Sequence, residues 1–285
     1  MKKSILAVAV LLSATVTVAQ KGKNYLPQSG DWAVGIDATP FLNYFGNFIG
    51  GQDGNSAPTW NNPSVNQVIT GKYFAEDDMA YRASLRIGVG SNKNTAMVGD
   101  DAITTTPLYP ALPSMVDDSY KVGATNIGLS VGFEKRRGVG RLKGYYGAEA
   151  GIAIGSTNET YTYGNAMTVT GATSTDFGAN ITTDTYDNVA RITKVKSGII
   201  FGIGLRAFIG AEYFVFPRVA IGGEFGWGFG FTSIGAGTMT LESTDGASVG
   251  TQTSESDKST YIGVDTDSNT GMFGPAGSLR MTFHF

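Results

Sequence analysis

Eight separate stretches of this chain alternate apolar residues with small or polar ones at period two, and nothing else in it limits the fold as strongly. A strand sends successive side chains to opposite faces, so each stretch makes one greasy face and one small or polar face. Trp32, Val34, Ile36 and Ala38 oppose Ala33, Gly35, Asp37 and Thr39. Ile69, Gly71 and Tyr73 oppose Thr70, Lys72 and Phe74. Tyr81, Ala83, Leu85, Ile87 and Val89 oppose Arg82, Ser84, Arg86, Gly88 and Gly90. Ile127, Leu129, Val131 and Phe133 oppose Gly128, Ser130, Gly132 and Glu134. Tyr146, Ala148, Ala150, Ile152 and Ile154 oppose Tyr145, Gly147, Glu149 and Gly151. The sixth stretch sets Ile199, Phe201, Ile203, Leu205, Ile209 and Tyr213 against Gly202, Gly204, Arg206, Phe208, Gly210 and Glu212. The seventh sets Ile221, Phe225, Trp227 and Phe229 against Gly222, Glu224, Gly226 and Gly228. The eighth sets Leu279, Met281, Phe283 and Phe285 against Ser278, Arg280, Thr282 and His284.

The connections alternate in length. Glu76–Met79, Lys135–Arg141 and Val215–Arg218 are short, whereas about 43–66, 91–121, 156–196 and 232–269 are long and rich in Asn, Asp, Ser, Thr and Gly. Short turns at one end and long loops at the other are the asymmetry of an outer-membrane barrel. A soluble β-sandwich also alternates, but it exposes a charged face. Here the second face is mostly Gly, Ala, Ser and Thr, with 16% charged residues in the whole chain. Such small residues suit the interior of a narrow barrel. Trp32, Tyr73, Tyr81, Phe133, Tyr146, Tyr213, Phe283 and Phe285 fall near the short-turn ends of their strands, as an interfacial aromatic girdle would.

The N-terminus reads as a secretory signal over 1–19. Lys2 and Lys3 precede an apolar run from Ile5 to Leu12, and Thr17 and Ala19 are the small residues before a cut. That run is too short to span about 30 Å of hydrocarbon. Residues 20–285 are then expected to form one exported barrel domain. The absence of cysteine rules out disulfides, and the net charge of −3 offers no basic footprint for nucleic acid.

Three motifs carry a family resemblance. Gly71-Lys72-Tyr73-Phe74-Ala75-Glu76-Asp77-Asp78-Met79-Ala80-Tyr81-Arg82 resembles a hairpin of the porin-family outer-membrane β-barrel domain of Bacteroidota. Gly144-Tyr145-Tyr146-Gly147-Ala148-Glu149-Ala150-Gly151 and Gly223-Glu224-Phe225-Gly226-Trp227-Gly228 are similar to the same group. The eight-stranded OmpA/OmpX/OmpW-like proteins belong to this type, and the likeness runs through nearly all of 20–285. It implies an all-β fold, an eight-stranded antiparallel up-and-down transmembrane β-barrel in the bacterial outer membrane with both termini periplasmic. It implies no substrate.

The inward faces collect charge. Asp37, Glu134, Glu149, Glu212 and Glu224 are set against Lys72, Arg82, Arg86, Arg206 and Arg280, five acids against five bases. An eight-stranded interior is only about wide enough for its own side chains, so these charges are expected to pair across a closed lumen. The single histidine, His284, falls at the short-turn rim, far from where an outward-facing catalytic site would lie, and reads as an inward polar residue. Asp265, Asp267 and Asn269 resemble half of a calcium loop. The glycine comes one place late and no glutamate closes the loop, so no metal is assigned. Gly202-Ile203-Gly204-Leu205-Arg206-Ala207 matches a dinucleotide fingerprint but lies mid-strand, so no cofactor follows.

Leu279, Met281, Phe283 and Phe285 resemble the signal by which the barrel-assembly machinery captures a last strand. Strand addition would supply the backbone pairing, and alternate side chains the selectivity. The expected partners are therefore outer-membrane lipid and lipopolysaccharide, the assembly machinery, and an envelope protein. No catalytic set is visible. The function expected is structural or surface interaction through four long loops. The alternatives are a small OmpW-like transport barrel or an accessory subunit of a secretion or uptake complex.

Overall fold

A computed structural model describes residues 25–38, 68–103, 108–171, 173–266 and 278–285, together with 47, 49, 50 and 105. The expected signal segment 1–19 lies outside the described residues. Among the described residues no helix is long and apolar enough to cross a membrane.

The chain is all-β and antiparallel. Its strands are β1 (Trp32–Asp37), β2 (Ile69–Glu76), β3 (Met79–Gly99), β4 (Met115–Arg137), β5 (Leu142–Thr162), β6 (Ile181–Thr183), β7 (Val189–Lys196), β8 (Ile200–Phe216), β9 (Val219–Ile234), β10 (Thr238–Thr244), β11 (Val249–Glu255), β12 (Ser259–Thr266) and β13 (Ser278–His284). Eight of them close a ring in the order β1-β2-β3-β4-β5-β8-β9-β13, with β13 pairing back onto β1. Closure leaves no free edge at the base of the sheet.

The expectation of eight strands counts the ring and misses five further strands. The register shows what four of them are. β7 continues β8 along the same edge of β5, with Asn158↔Lys196 above Gly155↔Ile200. β10 continues β9, with Thr238↔Lys196 above Ile200↔Ile234. β11 continues β12 in the same manner, with Thr238↔Glu255 above Ser259↔Ile234. The three long strands are interrupted at one level, by 197–199, 235–237 and 256–258. A β-carbon on Gly198 would run into the carbonyl oxygen of Gly235, so the two backbones meet there without side chains between them.

The expected loops at 91–121, 156–196 and 232–269 are therefore largely strand. β3, β4 and β5 are 21, 23 and 21 residues long, about twice the 9–11 residues that a membrane-crossing strand requires. The strand segments above that length, such as Ser-Thr-Asn-Glu-Thr in β5 and Thr-Gln-Thr in β11, alternate polar with polar. Hydrophobic periodicity is silent on such strands, which is why they read as loops.

Outside, the ring carries an exposed apolar belt. One register row joins Ile87, Ile127, Ile154 and Phe201, all exposed. Two residues farther up, the outward positions become Thr125 and Ser156 on β4 and β5, then Ser91 and Lys93 on β3. From Tyr146 to Ile154 on β5 the belt spans about 27 Å along the strand, or about 20 Å at a tilt of about 40°. Trp32, Tyr73, Tyr81, Phe133, Tyr146, Tyr213 and Phe285 are exposed on its lower side. Trp32 and Tyr73 pack at 4.9 Å between ring centroids.

Short turns close the lower end. Pro217 and Arg218 join β8 to β9, and Arg218 has φ 63. The segment 25–31 touches all three hairpin turns there. Tyr25 lies under the Arg141 guanidinium at 3.8 Å, Asp31 pairs with Arg218 at 3.0 Å, and the Ser29 N–H donates to the Asp77 carboxylate at 2.8 Å.

Candidate functional site

Strand parity turns one residue in two of each ring strand inward, and in the lower half these residues are charged. Glu224 on β9 is the hub. The Arg82 guanidinium donates to both its oxygens, at 2.8 and 3.2 Å, Arg206 donates at 2.8 Å, and Arg280 stands at 3.3 Å. Arg206 also donates to Glu149 at 2.9 Å, and Arg82 lies 3.3 Å from the same carboxylate. Lys72 donates to Glu134 at 2.9 Å, which Arg82 approaches at 3.8 Å. Glu134, Glu149, Glu212 and Glu224 are each buried to 5% exposure or less, so their charges depend on these partners rather than on water.

Arg136 pairs with Glu212 and reaches Glu134 at 4.0 Å. Sequence reasoning assigned Arg136 to the Lys135–Arg141 turn and missed it, whereas β4 runs on to Arg137. The signal was available, because Arg136 stands two residues after Glu134 and shares its face. Aromatic rings fill the remaining space. The Arg82 guanidinium lies 4.1 Å from the Phe208 ring centre, and Lys72 Nζ lies 4.9 Å from that of Tyr145. Glycine makes room for these side chains. A β-carbon on Gly226 would sit 2.7 Å from Arg206 Nε.

The two remaining members of the sequence-derived charge set behave differently. Asp37 stands opposite Arg280 in the β1–β13 register. Arg86 is the exception: its Nε and Nη1 are shielded from solvent and have no hydrogen-bond partner among the described residues. His284 is buried below the network, 5.5 Å from the Phe74 ring and 5.2 Å from the Phe214 ring between centroids. Arg136 lies over the same two rings, at 5.0 and 5.9 Å. These side chains close the lower mouth.

The proposed assembly residues lie on β13 and at its end. Met281 and Phe283 register with Ile221 and Val219 on β9, and with Ile36 and Val34 on β1. Leu279 accepts from the Ala38 N–H at 2.7 Å, and Phe285 exchanges two backbone hydrogen bonds with Trp32 at 2.9 Å each. Of the calcium candidates, Asp265 belongs to extended strand β12, whereas Asp267 and Asn269 lie outside the described residues. Among the described residues no cluster of three His, Cys, Asp or Glu side chains could hold a metal.

The upper half is built by different means. Asp118 on β4 is fully buried, and its carboxylate accepts the N–H groups of Gly164 at 2.8 Å and Asp176 at 3.1 Å. Asn165 donates to the carbonyls of Gly99 and Ser174, at 2.7 and 3.0 Å. Arg191 donates to Glu242 at 2.8 Å and to the Asn165 carbonyl at 2.9 Å, with its guanidinium 4.2 Å from the Tyr163 ring centre. Tyr120 stacks on Tyr161 at 4.8 Å, and Phe177 meets Tyr161 edge-on at 5.5 Å. The connection 163–180 is thereby pinned to the strand tips. Sequence reasoning gave these residues no role, because Asp, Asn and Thr in a polar stretch look alike whether or not they are buried.

Comparison with models of known families, with curated proteins and with solved structures yields no match for this chain.

Proposed function

We propose that this chain is a bacterial outer-membrane barrel of the porin-family type, closed to diffusion by its ion-pair core, that acts by surface recognition through the strands and loops above the membrane. The observation that carries this reading is the pairing of an exposed apolar belt outside with a charge-packed interior inside. A belt about 20 Å tall is close to what lipid demands of a spanning sheet, about 25 Å. Ring closure satisfies the backbone groups that lipid cannot. The aromatic rim beneath the belt supports a headgroup interface at the turn end, which this reading assigns to the periplasm together with both termini. Outer-membrane lipid and lipopolysaccharide would then be its solvent. β13, ending on Phe285, would be the strand offered to the assembly machinery.

The interior argues against a transport barrel. Arg82, Arg206, Glu149 and Glu224 interlock across the ring, and Arg136, Phe74, Phe214 and His284 lie beneath them. A diffusing solute would have to separate ion pairs that no water replaces. The strands rise far above the belt, and their pinned upper connections offer an ordered surface for a partner in the envelope or outside the cell.

Planar bilayer recording of the refolded protein tests the reading. The expected result is a protein that shifts mobility on heating in gels, floats with lipid vesicles, and gives no steady conductance. Stable, reproducible channels would overturn the closed interior. Failure to partition into lipid would overturn the membrane assignment.

A further inference from the structure

The interior changes character above Ser84. Below that level the inward charged residues Lys72, Arg82, Glu134, Glu149, Arg206 and Glu224 are buried, whereas the inward row one step above Arg86, namely Gly88, Asn126, Gly155, Ile200 and Ile234, is reached by solvent. Five strands supply these positions, and three of the five residues have side chains no larger than Asn. An eight-stranded ring is just wide enough to be filled by its own side chains, so glycine at two of these positions and solvent at all five mark a cup open at the loop end.

Arg86 stands at the floor of this cup. Its register row runs through Gly128, Ala153, Gly202 and Thr232, with no carboxylate in it. The row below, Ser84, Ser130, Gly151, Gly204 and Gly230, has none either. A β-carbon on Gly88, the next inward residue up the strand, would sit 3.9 Å from Arg86 Nη2, so the guanidinium extends upward along a glycine wall. Every other inward cation of the set, namely Lys72, Arg82, Arg136, Arg206 and Arg280, has a carboxylate within 4.0 Å. With Arg136 included, these inward charges number six cations against five acids, Glu134, Glu149, Glu212, Glu224 and Asp37. Among the described residues Arg86 is the one of these six cations with no carboxylate within 4.0 Å.

We propose that Arg86 is the anion-binding group of a ligand site in this cup, taking a small carboxylate or phosphate that enters from the loop end. The guanidinium keeps its charge at every physiological pH and hydrogen-bonds oxyanions strongly. The ion pairs beneath it give the site a floor, and the surrounding low-dielectric belt strengthens the attraction. The missing side chains at Gly88 and Gly128 leave the space a small anion needs. The inference goes beyond the surface-recognition reading and can fail separately from it, because binding is measured on folded protein in micelles while conductance tests closure.

The test is titration calorimetry of the full chain with citrate and with inorganic phosphate. Wild-type protein is expected to bind at least one of them at millimolar concentration. Arg86→Gln is expected to weaken binding by about tenfold or more, Arg86→Lys by less, and Lys93→Gln, on the outward face, not at all. Citrate binding without phosphate binding would assign the site to carboxylates, and the reverse to phosphates. Absence of binding to wild type, or equal binding by Arg86→Gln, would overturn the proposal. Should Arg86→Gln not fold, phenylglyoxal labelling of wild type serves instead. Citrate or phosphate must then protect Arg86, while leaving the exposed Arg137 unprotected; uniform labelling with and without either anion would overturn it.

Discussion

Below Ser84 the ring is filled by Lys72, Arg82, Glu134, Glu149, Arg206 and Glu224, all buried, whereas from the Arg86 row upward β3, β4 and β5 turn Gly88, Gly90, Gly128, Ala153 and Gly155 inward. The lower half spends its interior on stability and closure, and the upper half leaves its interior hollow and builds its rigidity at the rim. The means differ as well. Long-range ion pairs tie β2, β3, β4, β5, β8, β9 and β13 together below. Above, a few buried polar groups, chiefly Asp118, Asn165 and Arg191, pin a connection to its own strand tips. Loss of one group should therefore spread through the lower half and stay local in the upper half.

The largest expected effect is at Glu224. Glu224→Gln removes the charge that Arg82, Arg206 and Arg280 share, and breaking a buried network from one side costs about 3–5 kcal/mol. Urea unfolding in micelles should show a lower midpoint for the whole ring, with one cooperative transition. A midpoint within error of wild type would show that the lower half is not held by its ion pairs.

A smaller and local effect is expected at Asp118. Asp118→Ala leaves the N–H groups of Gly164 and Asp176 without their acceptor, at about 1–3 kcal/mol. Hydrogen exchange should accelerate in 163–180 while the urea midpoint of the ring stays unchanged. Loss of ring stability would break the distinction between the halves, since it would mean that the pinned connection carries the base.

The smallest effect belongs to the turn between β10 and β11. The Ala247 and Ser248 N–H groups donate to the Asp245 carboxylate at 2.8 and 2.7 Å and hold its pKa below the ordinary carboxylate range. A lowered folded value means that the stability is present above the unfolded pKa and is lost as pH falls through the folded one. Protection of the Ala247 and Ser248 amides should therefore be steady from neutral pH down to about pH 4 and fall below it. Asp245→Asn should remove most of that pH dependence. An unchanged profile in the variant would show that the carboxylate does not order this turn.

Much of this architecture was legible in the residues. Period-two alternation marks the eight ring strands, because each turns an apolar face outward and a small or charged face to a narrow interior. Parity alone turned Lys72, Arg82, Glu134, Glu149, Arg206 and Glu224 toward one interior. It missed Arg136 only because the strand was ended two residues early. It missed β7, β10 and β11 for a different reason. Their apolar residues, such as Val189, Ile192 and Val195 in β7, do not recur at period two over a run long enough to distinguish them from loops.

What the sequence determined by itself is which residues face inward, since the two-residue repeat of a strand requires nothing from the rest of the chain. What only the tertiary structure decided is which acid meets which base, and which cation is left over. Partners such as Arg82 and Glu224 are 142 residues apart and meet through strand register and ring closure. A single-residue slip in register would reassign every pair. Arg86 looks like its neighbours in sequence and differs from them only because the rows around it contain no acid.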